Sequence, residues 1–301
     1  MKLIVTPKNI VNLQALNDIG VKDFIVSLDM LAVKNTSSLS INNFKKIVDY
    51  CTQHDCNVYL SLNKMLHNKD LSLLDEVLNQ IVGLSFSGII YSDYAVYTTA
   101  LEKGIMVPLF YDGDMIATNS FTTSFLNKDL VFLSKELHFE EIEVVANTLK
   151  TDVCVQVQGL IGMFHSIRPL VSNYKDYLKA DFNAKSLQNR LYDEERDLFY
   201  PIIENENGSF IMGGKEIALI DQLDLLDEIN VTHLKIDGFL QTEEYILEVS
   251  RLYLDALEKY QTDKGGYKEQ KKDYMERLTL VGSRPMDKGF FFKPTLYKVK
   301  K

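Results

Sequence analysis

The chain has 301 residues and a formal net charge of −9, a length that suits one α/β barrel or two modest domains and exceeds a single sandwich or bundle. With 46% hydrophobic and 25% charged residues, its composition is that of a globular protein, which excludes disordered and fibrous classes. No apolar run approaches the roughly 20 residues of a membrane span, residues 1–7 read as a strand rather than a signal peptide, and the three cysteines include no Cys-x-x-Cys pair, so a reducing, cytoplasmic setting is expected.

In chain order, short β-branched runs predict strands at 3–6, 23–28, 57–62, 88–92, 106–111, 130–134, 153–158 and 231–236. Stretches of helical period lie between them, at 9–19, 41–53, 71–82, 94–103, 139–149 and 215–229. In the second of these, Phe44, Ile47, Val48 and Cys51 fall at i, i+3, i+4 and i+7, one apolar face. Near-continuous apolar runs such as Ile89-Ile90-Tyr91 suit parallel strands buried on both faces. Eight strands with intervening helices predict a (β/α)8 TIM-like barrel. A doubly wound sheet is the alternative, but no Gly-x-Gly-x-x-Gly follows the first strand. The rhythm breaks after Gln158, where about 55 residues pass before the next helix, far beyond the usual connection of 2–6. The expected organisation is a barrel domain at 1–260, with an inserted loop at 159–214 after the seventh strand, and an extension at 261–301. Residues 264–301 hold 11 Lys or Arg against four acids. Such a tail either contacts phosphates or packs its aromatics (Tyr267, Tyr274, Phe290, Phe291, Phe292, Tyr297) on the body.

Barrel chemistry sits where strands end, which singles out Asp29, Asn63, Asp93, Asp112, Asp114, Glu136, Gln158 and Asp237. Converging carboxylates would raise one another's pKa and do acid–base work or hold a cation. As caps and turn formers they need do neither: Asp93 precedes a predicted helix, and Asp112-Gly113 is a turn dipeptide. Of the histidines, His54 reads as surface, His138 as a helix cap and His233 as a strand residue, which leaves His67 and His165 near the carboxyl face. A Ser–His–carboxylate set can be drawn from His165, Ser166 or Ser172 and Asp237, although no Gly-x-Ser-x-Gly elbow supports it. Cys51 and Cys154 read as core residues.

The run from Gln158 to Tyr174, Gln-Gly-Leu-Ile-Gly-Met-Phe-His-Ser-Ile-Arg-Pro-Leu-Val-Ser-Asn-Tyr, resembles the signature of peptidase family U32. Further matches follow the family's order: the run from Asn57 to Asn63 with Leu66-His67-Asn68, then Ser134-Lys135-Glu136-Leu137, Tyr200-Pro201-Ile202-Ile203-Glu204 with Glu206 and Gly208, and Leu234-Lys235-Ile236-Asp237-Gly238. The resemblance covers roughly residues 3–260. It departs at the two signature cysteines, which fall on Gly162 and Pro169, and no cysteine follows Cys154. The family glutamate falls on Cys154, and an arginine on Phe239. Where present, those cysteines hold an iron–sulfur cluster, which needs thiolate ligands, so the resemblance implies that this chain has none. What survives is Gly159, Ser166, Arg168, Ser172-Asn173-Tyr174, Lys235 and Asp237.

The resemblance implies three families of activity: collagen-type proteolysis, ubiquinone hydroxylation, and hydroxylation of RNA, including the wobble uridine of tRNA. It matches a short member that works beside a longer, cysteine-bearing paralogue. The ranked expectations are a subunit in tRNA wobble-uridine 5-hydroxylation, then a peptidase, then a non-catalytic binding barrel. The net charge of −9 opposes RNA unless the basic extension or a partner supplies contacts. The candidate ligand-binding residues are Asn63, His67, Glu136, His165, Arg168, Ser172, Asn173, Tyr174, Lys235 and Asp237. Arg168 is expected near Lys235 and Asp237 at one rim, either binding an anion through its planar fork or pinning the loop through Asp237 or Glu204.

Overall fold

The computed structural model describes residues 1–114, 117–126 and 129–293. Its first half alternates strand and helix: β1 (Lys2–Val5), α1 (Ile10–Asp18), β2 (Asp23–Ser27), α2 (Ile41–Gln53), β3 (Asn57–Leu62), α3 (Leu71–Ile81), β4 (Gly88–Tyr91), α4 (Tyr94–Glu102), β5 (Leu109–Tyr111), α5 (Ser120–Leu126), β6 (Leu130–Phe132) and α6 (Phe139–Thr148). Next come β7 (Asp152–Ser166), α7 (Leu170–Leu178), β8 (Arg190–Asp193), β9 (Leu198–Asn205) and β10 (Gly208–Ala218). The chain then runs through α8 (Leu223–Glu228), β11 (His233–Ile236), α9 (Glu243–Thr262), α10 (Lys264–Val281) and β12 (Met286–Asp287).

Eight strands are parallel and follow one another around a barrel in the order β5-β4-β3-β2-β1-β11-β7-β6. The expected (β/α)8 barrel is therefore the architecture. Period-two alternation sorts its side chains. Leu3, Val5, Phe24, Val26, Val58 and Leu60 face out, in the large core beneath the helices. Ile4, Ile25, Tyr59, Ile90, Phe110, Phe132 and Cys154 pack together in the barrel interior, one from each of seven strands. Caps follow local sequence: Asp93 accepts from the Ala95 N–H at 2.9 Å and starts α4, and His138 caps α6.

The structure corrects the sequence reading between residues 159 and 218. Strand β7 does not end at Gln158 but continues to Ser166, where β10 pairs with it antiparallel, and β9 and β8 extend that sheet. The segment is a small sheet with one helix, not a loop. Residues 215–218, read as helical, end β10 instead. Alternation in the run Lys-Glu-Ile-Ala is too short to separate the two periods.

The strand changes partner at Gly159, whose φ is +115°. A Cβ there would fall inside van der Waals contact of the Asp237 carbonyl oxygen. Just beyond, the buried Glu216 carboxylate accepts from Gln158 Nε2 at 3.3 Å, from Gln241 Nε2 and from the Tyr245 hydroxyl. Burial, and then Glu216, push the Tyr245 phenol well above its ordinary range.

The C-terminal extension packs on the body. Tyr267 and Tyr274 are buried, and the Tyr267 hydroxyl donates to the Ile220 carbonyl at 2.8 Å. Phe291 is buried as well, whereas Phe290 and Phe292 are exposed; Tyr297 lies outside the described residues. Among the described residues, no helix is long and apolar enough to cross a membrane.

Two glycines separate strain from crowding. Gly83 has φ +79° with nothing near its would-be Cβ, whereas Gly159 combines positive φ with the Asp237 contact. In urea unfolding, Gly83→Ala is expected to cost about 1 kcal/mol and Gly159→Ala about 3 kcal/mol. Equal losses would refute the close-approach argument.

Candidate functional site

One step above the apolar interior layer, the inward positions become polar. Thr6, Ser27, Ser61, Ser92 and Asp112 follow the inward residues of β1 to β5 by two positions, and Lys235 takes the inward position of β11 between Leu234 and Ile236. These residues floor a cavity of about 640 Å³ at the carboxyl face of the barrel. Its sides come from Asn63, Tyr94, Tyr111, Lys135 and the loop 33–37, and the inserted sheet adds Leu160, Gly162, His165 and Met212. The cavity is divided chemically: hydroxyls line the β1–β4 side, and ion pairs line the side of β5, β6 and β11.

The ionic side is organised around Asp114. Its carboxylate pairs with Lys34 Nζ at 2.6 Å and Lys135 Nζ at 2.9 Å, so the loops after β2, β5 and β6 meet at one group. Lys34 and Asp114 both have left-handed backbone, with φ of +52° and +60°. Each conformation has a local support. The Val33 N–H donates to Asn63 Oδ1 at 2.7 Å, and the Asp114 N–H donates to Asp112 Oδ1 at 3.0 Å. Burial works to raise the Asp114 carboxyl, but the Lys135 and Lys34 ammoniums overcome it and hold the group well below the ordinary carboxylate range. Burial likewise opposes the Lys135 charge, and Asp114, Asp237 and Asp112 outweigh it and raise Lys135 above its usual value. Lys235 Nζ lies 3.4 Å from Asp237 Oδ2.

Of the candidate residues, the cavity brings together Asn63, His165, Lys235 and Asp237. It does not include the other six. His67 is exposed and caps a short turn with Asp70; Glu136 is half-buried beside the lining residue Lys135. The Ser172 hydroxyl donates to Glu204, which also accepts from the Val171 N–H at 2.8 Å and the Ser209 hydroxyl at 3.0 Å. Burial pushes the Glu204 carboxyl up, but these hydrogen bonds hold it below its ordinary value. Asn173 and Tyr174 are exposed on α7, and Arg168 is exposed just before it. Among the described residues Arg168 makes no ion pair with Asp237 or Glu204, so its side chain does not pin the loop as one expectation had it; β7 runs on and carries it beyond the cavity lining. Lys34, Lys135 and the floor hydroxyls were not singled out by sequence. The signal for the hydroxyls was available, as a polar residue two positions beyond each inward apolar one.

Among the described residues lining the cavity, no serine or cysteine stands beside a histidine. His165 and Ser166 are consecutive in β7 and point to opposite faces. His165 stacks on Phe210 and its Nε2 lies 3.0 Å from the Asn207 carbonyl. Two of the strand-end residues are already occupied. Asp93 accepts from the Ala95 and Leu66 amides, and the Gln158 side chain serves the Glu216 cluster outside the cavity.

Residues 9–301 match the profile described as peptidase family U32. The chain belongs to peptidase family U32. Among its relatives is tRNA hydroxylation protein P2 of Bacillus subtilis, 28% identical over 98% of this chain and 99% of that protein. Another is tRNA hydroxylation protein P1 of the same organism, 20% identical over 85% of this chain and 62% of that one. A collagenase of Porphyromonas gingivalis is 25% identical over 85% and 66%, respectively. The chain thus spans nearly all of the first relative and about two thirds or less of the other two. A solved U32 peptidase superposes with a TM-score of 0.48 at 10% identity, covering 79% of this chain and 93% of that one.

The residues of this U32 chain do not fit an iron–sulfur cluster. At Gly162 a Cβ would lie 2.7 Å from Lys34 Nζ, so an ammonium occupies the space in front of a family cysteine position. Pro169 is exposed and precedes α7. Cys154 is enclosed in the barrel interior, while Cys51 and Cys56 neighbour each other at the end of α2, where burial pushes Cys51 up. Three thiols so placed do not converge on one centre, and burial keeps them protonated. Among the described residues, no group of three or more His, Cys, Asp or Glu is placed to hold a metal ion.

The Asp114 cluster predicts a pH signature. A carboxyl held low in the folded state stabilises the fold fully above its unfolded value near 4, and that contribution drains away as pH falls toward the folded value. Lys135→Met is expected to cost roughly 1–2 kcal/mol in urea unfolding near pH 6. The deficit should shrink below about pH 4 as Asp114 protonates in the variant. A deficit that stays constant with pH would assign it to packing rather than charge.

Proposed function

We propose that this chain is a subunit in 5-hydroxylation of the wobble uridine of tRNA, acting in the cytoplasm beside a longer, cysteine-bearing U32 paralogue. The observation that carries the reading is the end-to-end match to a protein named for tRNA hydroxylation, which covers 99% of that relative's length, where the collagenase match covers 66%. The cavity supports it chemically. A uracil ring presents two carbonyl acceptors and one N–H donor; the floor hydroxyls of Ser27 and Ser61 can serve either role, and Ser92, which donates to the Asp112 carbonyl at 2.5 Å, can accept. Lys235 adds a charged donor. Wobble uridines lie in a single-stranded loop, where bases can be splayed into a pocket.

In this reading the chain binds and orients the base, and the ionic side holds the loops after β2, β5 and β6 around it. Nucleoside analysis of tRNA from a strain lacking this chain should show loss of hydroxylated wobble uridine. Complementation with Lys235→Met should restore soluble, folded protein but leave the modified nucleoside reduced at least about tenfold. Full modification in the deletion strain would defeat the proposal.

We also propose that the chain carries no cluster of its own. Protein purified without oxygen should contain iron and acid-labile sulfide far below stoichiometry. Near-stoichiometric iron would overturn this and require a ligand set other than the signature positions.

A further inference from the structure

The two basic regions of the chain differ in what their charges already do. Among the described residues of α10 and beyond, most cations are paired within the molecule: Lys264 with Asp227, Lys271 with Asp224, Arg277 with Asp255 and Lys288 with Asp221, with Arg284 the exception. An ammonium held by a carboxylate has little left for a phosphate. The segment around α7 is the reverse. Residues 165–192 hold five Lys or Arg against two acids, within an insertion (159–214) that holds six against eight, and among the described residues none of those five makes an ion pair.

Aromatics stand beside these cations. Tyr174 and Tyr177, at i and i+3 on α7, are 57% and 82% exposed, so they share the outer side of a helix whose buried residue is Val171. Arg168 precedes the helix, Lys175 lies within it, and Lys179 closes it in left-handed conformation. The segment also follows the cavity wall directly along the chain. Strand β7 brings His165 to the cavity wall, and three residues later the chain reaches Arg168 and enters α7.

We propose that the outer face of the inserted unit, centred on α7, docks single-stranded RNA beside the mouth of the cavity. The inference rests on the tRNA reading above and names the surface that delivers the loop. Unpaired cations track the phosphates, and the exposed phenol rings stack bases, which is how single strands are held without sequence readout. The described part of the C-terminal extension has most of its charges committed to Asp221, Asp224, Asp227 and Asp255, which makes it the weaker candidate.

The test is fluorescence anisotropy of a labelled anticodon stem–loop RNA carrying uridine at the wobble position, titrated with the full chain across a salt series. The triple variant Lys175→Gln/Lys179→Gln/Lys185→Gln should lower affinity at least about tenfold and reduce the slope of log affinity against log salt by about two. Tyr177→Ala should weaken binding about tenfold with the slope unchanged. Lys179, Lys185 and Tyr177 are exposed, while half-buried Lys175 lies over the Phe182 ring, so thermal melts close to the parent's are expected and separate lost binding from lost folding. Three results would overturn the inference. One is no RNA binding by the parent chain even at low salt. A second is loss of binding in Lys298→Gln/Lys300→Gln/Lys301→Gln but not in the insertion variants. The third is insertion variants that bind RNA normally yet fail to capture the paralogue, which would make the face a protein interface. Failure of the tRNA reading is seen separately, as hydroxylated wobble uridine persisting in the deletion strain while RNA binding by the chain still depends on α7.

Discussion

Strand β7 runs parallel to β6 and β11 through its first half and antiparallel to β10 through its second, so one strand belongs to the barrel and to the sheet above it. The change of partner happens at Gly159, where the backbone passes the Asp237 carbonyl too closely for any side chain. Because the strand does not break, the inserted sheet stands rigidly on the barrel rim and forms one wall of the cavity. The same continuity carries the signature segment outward. His165 lines the cavity, while Arg168 and α7 lie beyond its lining.

The wall is secured from behind. Glu216 gathers Gln158 of β7, Tyr245 of α9 and Gln241 into one buried cluster, and its N–H donates to the Pro285 carbonyl at 3.0 Å. A buried carboxylate is costly unless its oxygens are satisfied; here they are, by groups from β7 and from the turn into α9. From the front, the Asn207 side chain reaches the Ala32 carbonyl at 3.4 Å, and Lys34 lies against Gly162. The loop after β2 and the inserted sheet therefore close on each other across the cavity mouth.

Within that frame, the cavity combines two kinds of polar surface. Four strand ends supply hydroxyls, which offer a ligand both donors and acceptors. The opposite side has Asp114 between two lysines and Lys235 beside Asp237, charges that neutralise one another locally and stay fixed. Such a site favours orientation of a polar, planar ligand over covalent attack, and no serine in it is placed next to a histidine. The departures from the family signature fit this division: the place of one cysteine is glycine with a lysine side chain against it, and the other is a proline at the head of α7.

The barrel itself was legible in sequence. Period-two runs bounded by turn residues, with amphipathic helices between them, identify all eight barrel strands, because burial on both faces makes those strands apolar whatever surrounds them. The polar step at the top of each strand was equally present, at Thr6, Ser27, Ser61 and Ser92. Asp237 was found because it closes a strand, and Lys235 through the family resemblance. What sequence alone could not decide was the course of residues 159–218, since whether β7 stops or continues depends on β10 arriving to pair with it, a contact between residues about 50 positions apart. The assembly of Lys34, Asp114 and Lys135 was hidden for the same reason. Each is an ordinary loop residue by itself, and only closure of the barrel brings the three loops to one point. Sequence determined which residues are inward and polar; long-range pairing decided which of them meet.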